Sequence, residues 1–195
     1  MAVLDIVRLG HPALRTPARE VPSEEIGSPA LERLIDDLVE TMRAAGCGGL
    51  SAPQVGAGSQ VFVYEVPPSE APPATPPQSS APPAEAVPLT IVVNPVLHGK
   101  PGQMVHDWEG CSSVPDLLGL VPRHPEVRLR GLDREGQPVD RVVSGLESRI
   151  VQHEHDHLNG IVFLDRMRDL KSLTYSSEWS SFVDRGERGE RTAVV

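Results

Sequence analysis

The sequence has few cysteines, no long apolar run and no recognisable export signal. Only two of its 195 residues are cysteines, Cys47 and Cys111, which is too sparse for the disulfide framework of a small secreted domain. No stretch approaches the roughly 18 consecutive apolar residues of a transmembrane helix. The N-terminal region lacks a long apolar segment, and its Asp5 and Glu20 are atypical of an organellar transit peptide. These absences predict a cytoplasmic protein with reduced thiols.

Aromatic residues and positive charge are also scarce. Aromatics make up 4% of the chain, so the core must consist mainly of Val, Leu, Ile and Ala. Lys and Arg total 18 against 27 Asp and Glu, which gives a formal net charge of -9. This balance argues against direct nucleic-acid binding and against an anionic membrane surface as the main partner.

Proline is the one residue type in excess, and its distribution is uneven. Nine of the 20 prolines lie within residues 67–88. That segment has too little apolar surface to offset the entropy of ordering, so it is predicted to be a solvated loop inserted into the domain. Residues 184–195 are predicted to form a flexible tail, and 1–195 a single catalytic domain.

Hydrophobic periodicity predicts two helices in an α+β fold. Ser28 is a candidate N-cap for a helix that ends at Gly46, and a capping box of Ser144 with Glu147 precedes a helix over 145–158. Strands are expected at 61–66, 89–93, 127–132, 139–143 and 161–164. They do not alternate regularly with helices, which disfavours a doubly wound parallel sheet.

The second helix contains the sequence His-Glu-His-Asp-His, which includes an HExxH motif. His153 and His157 lie one turn apart on one face, so both imidazoles can bind the same metal ion. Glu154 lies beside the first ligand, where it can act as general base towards water on the metal. A catalytic site of this kind needs a third protein ligand. Cys111, Asp165, Asp169 and the other histidines remain open at this point.

Three motifs together resemble those of the peptide deformylases. They are Gly49–Gln54 (GLSAPQ), Glu109–Cys111 (EGC) and Gln152–Gly160 (QHEHDHLNG), in this order along the chain. The similarity extends from about Asp5 to Met167 and includes Asn94–Pro95, Val121–Arg123 and Gly131–Asp133.

The resemblance implies a role for each matching residue. Cys111, His153 and His157 would bind one divalent metal ion, with ferrous iron as the native metal and zinc or nickel as substitutes. Glu154 would be the general acid and base, and Gln54 with the backbone N–H of Ser112 would donate hydrogen bonds to the oxyanion. Apart from the resemblance, Glu109 and Arg123 are predicted either to pair and orient the metal loop or to form an exposed salt bridge that contributes little to stability. Substrate would be bound by Gly48, Gly49, Leu50, Leu146 and Ile150.

The resemblance also implies a fold, an activity and partners. Antiparallel sheets would pack around a central helix that carries the HExxH motif. The enzyme would remove the formyl group from formyl-methionyl nascent polypeptides and release formate, working near the ribosome as a monomer or weak dimer. Cys47, Ser51, Ser112 and Arg149 depart from the common pattern of the family, and Arg149 places a charged residue where an apolar one is usual.

Two alternatives follow from parts of the sequence alone. An HExxH metallopeptidase would use Asp165 or Asp169 as third ligand, and Cys111 would then be dispensable. A catalytically idle scaffold would use the proline-rich segment as an interaction arm. Only the deformylase hypothesis uses all three motifs.

Overall fold

The computed structural model describes residues 2–68, 86–100, 102, 104–179 and 181. Most of the predicted proline-rich loop and all of the predicted tail lie outside these residues. The elements are listed in chain order: α1 (Pro29–Ala45), β1 (Gly49–Ser51), β2 (Val61–Val66), β3 (Val87–Gly99), β4 (Val105–Cys111), β5 (Val114–Arg123), β6 (Glu126–Leu132), β7 (Pro138–Ser144), α2 (Gly145–Leu158), α3 (Phe163–Arg166) and β8 (Thr174–Tyr175). No helix among the described residues is long and apolar enough to cross a membrane.

Helix α1 forms as its sequence predicts. The Ser28 hydroxyl accepts a hydrogen bond from the Leu31 N–H at 3.3 Å, and Pro29 occupies the first turn. Gly46 ends the helix in the left-handed region, with φ of 65°. Ile35, Leu38 and Met42 are fully buried and pack the helix against the core.

The strands form two sheets in which every pairing is antiparallel. One sheet has the order β1-β2-β3-β6-β7, and the other has the order β4-β5-β8. The predicted α+β class with antiparallel sheets is therefore confirmed. Strands at 61–66, 127–132 and 139–143 are also confirmed, and the strand expected at 89–93 is longer, Val87–Gly99.

Two local predictions are wrong. Residues 161–164 do not form a strand, because Asp165 accepts the Val162 N–H at 2.9 Å and starts the short helix α3. The capping box before α2 is absent, since Ser144 makes no side-chain capping bond. Its expected partner Glu147 instead accepts hydrogen bonds from the Tyr64 hydroxyl and from Arg141.

Helix α2 contacts elements of both sheets. Val151 and Leu158 are buried in a cluster with Phe62 and Tyr64 of the larger sheet. On another face, Arg149 donates to the Val121 carbonyl of β5 at 3.0 Å. The HExxH motif on this helix consequently lies where the ends of β1 and β4 approach α2.

Candidate metal centre

Cys111, His153 and His157 converge on one point. Their ligand atoms all lie within 4.8 Å of one another, and Cys111 Sγ is 3.3 Å from His157 Nε2. Tetrahedral bonds to a metal ion would place such atoms roughly 3.5 Å apart. One thiolate and two imidazoles form a donor set that suits iron or zinc and leaves a position open for water. The residues therefore fit a catalytic divalent ion.

The end of β4 delivers Cys111 to this point. The register with β5 shifts between Gly110 and Cys111, and an irregularity of this kind bends a strand locally. A Cβ on Gly110 would come within 2.8 Å of the Leu118 side chain. A larger residue beside the cysteine would therefore have to displace the end of the Leu118 side chain.

Glu109 holds the ring of His153. Its Oε2 lies 2.9 Å from His153 Nδ1, which leaves Nε2 for the metal. Arg123 binds both oxygens of Glu109, at 2.9 and 3.0 Å. Burial by itself raises the pKa of Glu109, but the bonds from Arg123 and His153 outweigh it and hold the pKa far below its usual range.

Arg123 and Glu109 form a buried pair rather than a surface salt bridge. Their side chains are 5% and 4% exposed. Arg123 also donates to Asp156 on α2 at 2.5 Å, and Arg166 binds the same carboxylate at 2.6 Å. The network ties β4, β5 and α2 together directly behind the metal ligands.

The two candidate histidine ligands have different surroundings. Burial lowers the pKa of His157 well below its usual range, so its ring is neutral, as a metal ligand must be. Its Nδ1 is buried and has no hydrogen-bond partner in the part of the chain that the structure describes. Burial lowers the pKa of His153 as well, but bonds to Cys111 and Glu109 raise it overall.

Glu154 is buried beside the candidate ligands. It is 4% exposed, and burial raises its pKa to about 7. Gly49 lies against it: a Cβ at this position would be 2.7 Å from Glu154 Oε1. A carboxyl group with a pKa near neutrality can both accept and return a proton.

Gln54 presents its amide N–H to the same site. Its Oε1 accepts the Ser51 N–H and the Ser51 hydroxyl, both at 2.9 Å. This leaves Nε2 directed at Cys111 Sγ, 3.6 Å away, and at the Ser113 hydroxyl, 3.5 Å away. Ser51, which the sequence showed only as a departure from a common pattern, therefore orients Gln54.

A cavity of about 300 Å³ opens beside these groups. It is lined by residues of the metal site, of the segment before β1, of the β4–β5 turn and of α2. Among them are Cys47, Gly48, Gly49, Gln54, Trp108, Glu109, Cys111, Ser112, Leu146, Arg149, Ile150, His153 and Glu154. Four of the five predicted substrate-binding residues lie there. Leu117 and Leu118 line it too. These two residues and Trp108 could not be assigned to the cavity from sequence, because they belong to β4 and β5, which the sequence pattern does not predict.

Leu50 is the exception, because it does not line the cavity. Its side chain is fully buried in the core cluster with Leu38 and Met42. Successive residues of a strand face opposite sides. Since Gly49 faces the cavity, Leu50 must face the core.

The carboxylates of the metallopeptidase alternative lie elsewhere. Asp165 accepts hydrogen bonds from Arg15 and from the Val162 N–H. Asp169 accepts the Lys171 N–H at 2.8 Å. Neither belongs to the group of potential ligands formed by Cys111 and the two histidines, so the alternative is not favoured.

Comparison with known proteins gives a consistent result. A sequence profile described as polypeptide deformylase matches residues 3–173. Peptide deformylase 1 of Nitrosomonas europaea is 43% identical over 171 residues, which cover 88% of this chain and 91% of the relative. The mitochondrial peptide deformylase of Homo sapiens is 41% identical over 169 residues, covering 87% of this chain and 69% of the relative.

Solved structures agree with this similarity. The Met-Ala-Ser-bound class I type b peptide deformylase of Acinetobacter baumannii is 34% identical, with a TM-score of 0.76, over 85% of this chain and 99% of that one. The actinonin complex of a Synechococcus elongatus peptide deformylase is 30% identical, with a TM-score of 0.72, over 95% of this chain and 86% of that one.

Proposed function

Because the chain belongs to the peptide deformylase family, we propose that it removes the formyl group from formyl-methionyl nascent polypeptides and releases formate. The convergence of Cys111, His153 and His157 within 4.8 Å carries this proposal. Glu154 beside them and the adjoining cavity of about 300 Å³ supply the remaining requirements, a base and a place for the peptide.

The three convergent residues would hold one divalent ion. Ferrous iron is proposed as the native metal because the resemblance to the family implies it. Zinc and nickel are proposed as substitutes, because a thiolate with two imidazoles also accepts them. When bound, the ion would act as a Lewis acid that lowers the pKa of a water molecule and polarises the formyl carbonyl. Glu109 keeps the His153 ring turned towards it, and Arg123 keeps Glu109 in place.

Glu154 would move the proton. As a carboxylate it takes a proton from the attacking water, and as an acid it passes that proton to the departing amine. Its burial beside Gly49 and its pKa of about 7 support both roles.

Gln54 and the backbone N–H of Ser112 would stabilise the developing oxyanion. The Gln54 amide is held by Ser51 before substrate arrives, so little reorganisation is needed during the reaction. Donors of this type contribute roughly 2.7–4 kcal/mol to lowering the barrier.

The cavity offers two strand edges to a peptide. Among the described residues, β1 and β4 each pair with one neighbouring strand, and both contribute residues to the cavity wall. An extended peptide can add its backbone hydrogen bonds to such an edge. Gly48 and Gly49 would border its backbone, and Leu146 and Ile150 would contact the methionine side chain.

The wider setting is part of the same proposal. Helix α2 would be the central helix of a single catalytic domain, around which both sheets pack. The enzyme would work in the cytoplasm, close to the ribosome, as a monomer or weak dimer.

The decisive assay measures formate release. Protein purified without oxygen and assayed for metal should hydrolyse formyl-Met-Ala-Ser and leave acetyl-Met-Ala-Ser intact. Cleavage of an internal peptide bond without formate release would instead support a metallopeptidase. Stoichiometric metal without either activity would refute the proposed substrate.

Gly49→Ala should lower turnover by on the order of 100-fold, the effect expected when a catalytic group is displaced by about 1 Å. The new Cβ would lie 2.7 Å from Glu154 Oε1, so the carboxyl group must move. Steady-state formate release would measure the loss. Gly58→Ala is the matched control, because a Cβ there meets no atom within 4 Å. Equal activity of the two variants would contradict the placement of Glu154.

A further inference from the structure

Arg149 is a charged residue in the wall of the cavity, yet its side chain is only 9% exposed. It lies on α2 four residues before His153, and therefore on the same face of the helix. None of the roles proposed above uses it. A buried guanidinium must be paired and hydrogen-bonded, so its partners indicate what it does.

Its partners lie on β4 and β5. Nη1 donates to Glu109 Oε1 at 2.7 Å, to the Val121 carbonyl at 3.0 Å and to the Asp107 carbonyl at 3.5 Å. Nη2 donates to the Val105 carbonyl at 3.0 Å. The guanidinium is thus bonded to the strands behind the cavity and fastens α2 to them.

The bond to Glu109 is the informative one. Both oxygens of this carboxylate are shared: Oε1 accepts from Arg123 and Arg149, and Oε2 accepts from Arg123 and lies against His153 Nδ1. Arg123 approaches from β5 and Arg149 from α2. The carboxylate is therefore fixed from two elements, and the His153 ring is fixed through it.

We propose that Arg149 is a positioning residue for the metal centre, acting through Glu109 on His153. Its backbone bonds fix the distance between α2, which carries both histidines, and β4, which ends in Cys111. The inference rests on the proposed metal centre but not on the formyl substrate.

Metal retention tests the proposal without any substrate. Arg149→Met keeps a side chain of similar length and removes every donor, whereas Arg149→Lys keeps the charge but cannot reach all four acceptors. Each variant would be loaded with zinc, and release to a chelator would be timed. Cobalt-loaded samples would report ligand geometry through their visible absorption, and the metal-free proteins would give unfolding temperatures.

We expect zinc release from Arg149→Met to be about 10- to 100-fold faster, in line with the usual loss of affinity when a group that orients a ligand is removed, and the cobalt spectrum to be altered. Arg149→Lys should fall between this variant and the original protein. Arg128→Met is the control, because that guanidinium is 49% exposed and pairs with Asp140 on the surface.

A purely structural role for Arg149 would lower the unfolding temperature but leave metal release from the folded variants within twofold of the original protein. That result would overturn the inference, and if Arg149→Met does not fold, the same criterion applies to Arg149→Lys. Failure of the original protein to bind metal would instead refute the proposed metal centre itself.

Discussion

Glu154→Gln is expected to lower formate release by about 10²- to 10⁴-fold, the usual contribution of a general acid or base. Glutamine has nearly the same shape as glutamate and can occupy the same space beside Gly49. It cannot take a proton from water at neutral pH. The loss should therefore appear in kcat, with metal content unchanged, and single-turnover measurements of formate would show it.

Glu154→Ala separates the chemical role from the packing role. It removes the base, so its activity should be as low as that of Glu154→Gln. It also leaves a space beside Gly49, so its stability should differ from that of Glu154→Gln. Retained turnover in either variant would overturn the proposed mechanism. Activity lost together with metal would indicate that Glu154 supports the ligands rather than the proton transfer.

The helices could be predicted from sequence because their signals are local. The N-cap Ser28, the apolar period and the stop at Gly46 all lie within one segment of α1. The HExxH spacing similarly fixes the relation of His153 to His157 once a helix is assumed. The third ligand could not be derived in this way, because Cys111 reaches the histidines only through the tertiary fold.

The hairpin of β4 and β5 was not predicted because its signals are not local. Pro115 and Pro122 lie within β5, and proline normally argues against a strand interior. Buried and exposed residues do not alternate strictly along β5, so its sequence lacks the two-residue period that would indicate a strand. The strands are instead stabilised by their mutual pairing, which runs from Val105 with Arg123 to Cys111 with Val114.

Errors elsewhere have similar causes. The short apolar run at 161–164 is compatible with a strand or a helix, and a hydrogen bond to Asp165 decides between them. Glu147 fits a capping box by spacing, but its carboxylate instead accepts hydrogen bonds from Arg141 on the preceding strand and from Tyr64, which lies 83 positions earlier in the chain. The partners of Arg149 could not be predicted from its departure from the family pattern, because its acceptors lie 28–44 positions earlier in the chain.

Cys111→Ser is expected to weaken metal binding by at least about 100-fold, at the upper end of the loss caused by removing a group that merely orients a ligand. A serine hydroxyl remains protonated at neutral pH and is a poor substitute for a thiolate. Formate release should fall with the metal content. Metal analysis after dialysis against a weak chelator, together with turnover at saturating zinc, would measure both effects.

The second cysteine gives a matched control for this experiment. Cys47 lines the same cavity, but it lies outside the group of potential ligands, and burial raises the pKa of its thiol to about 11. Cys47→Ser should therefore retain its metal. Cys111→Asp should bind more metal than Cys111→Ser, because a carboxylate can bind a divalent ion where a hydroxyl cannot. Full activity of Cys111→Ser would mean that another group completes the site, and it would revive the metallopeptidase alternative, in which Asp165 or Asp169 supplies the third ligand.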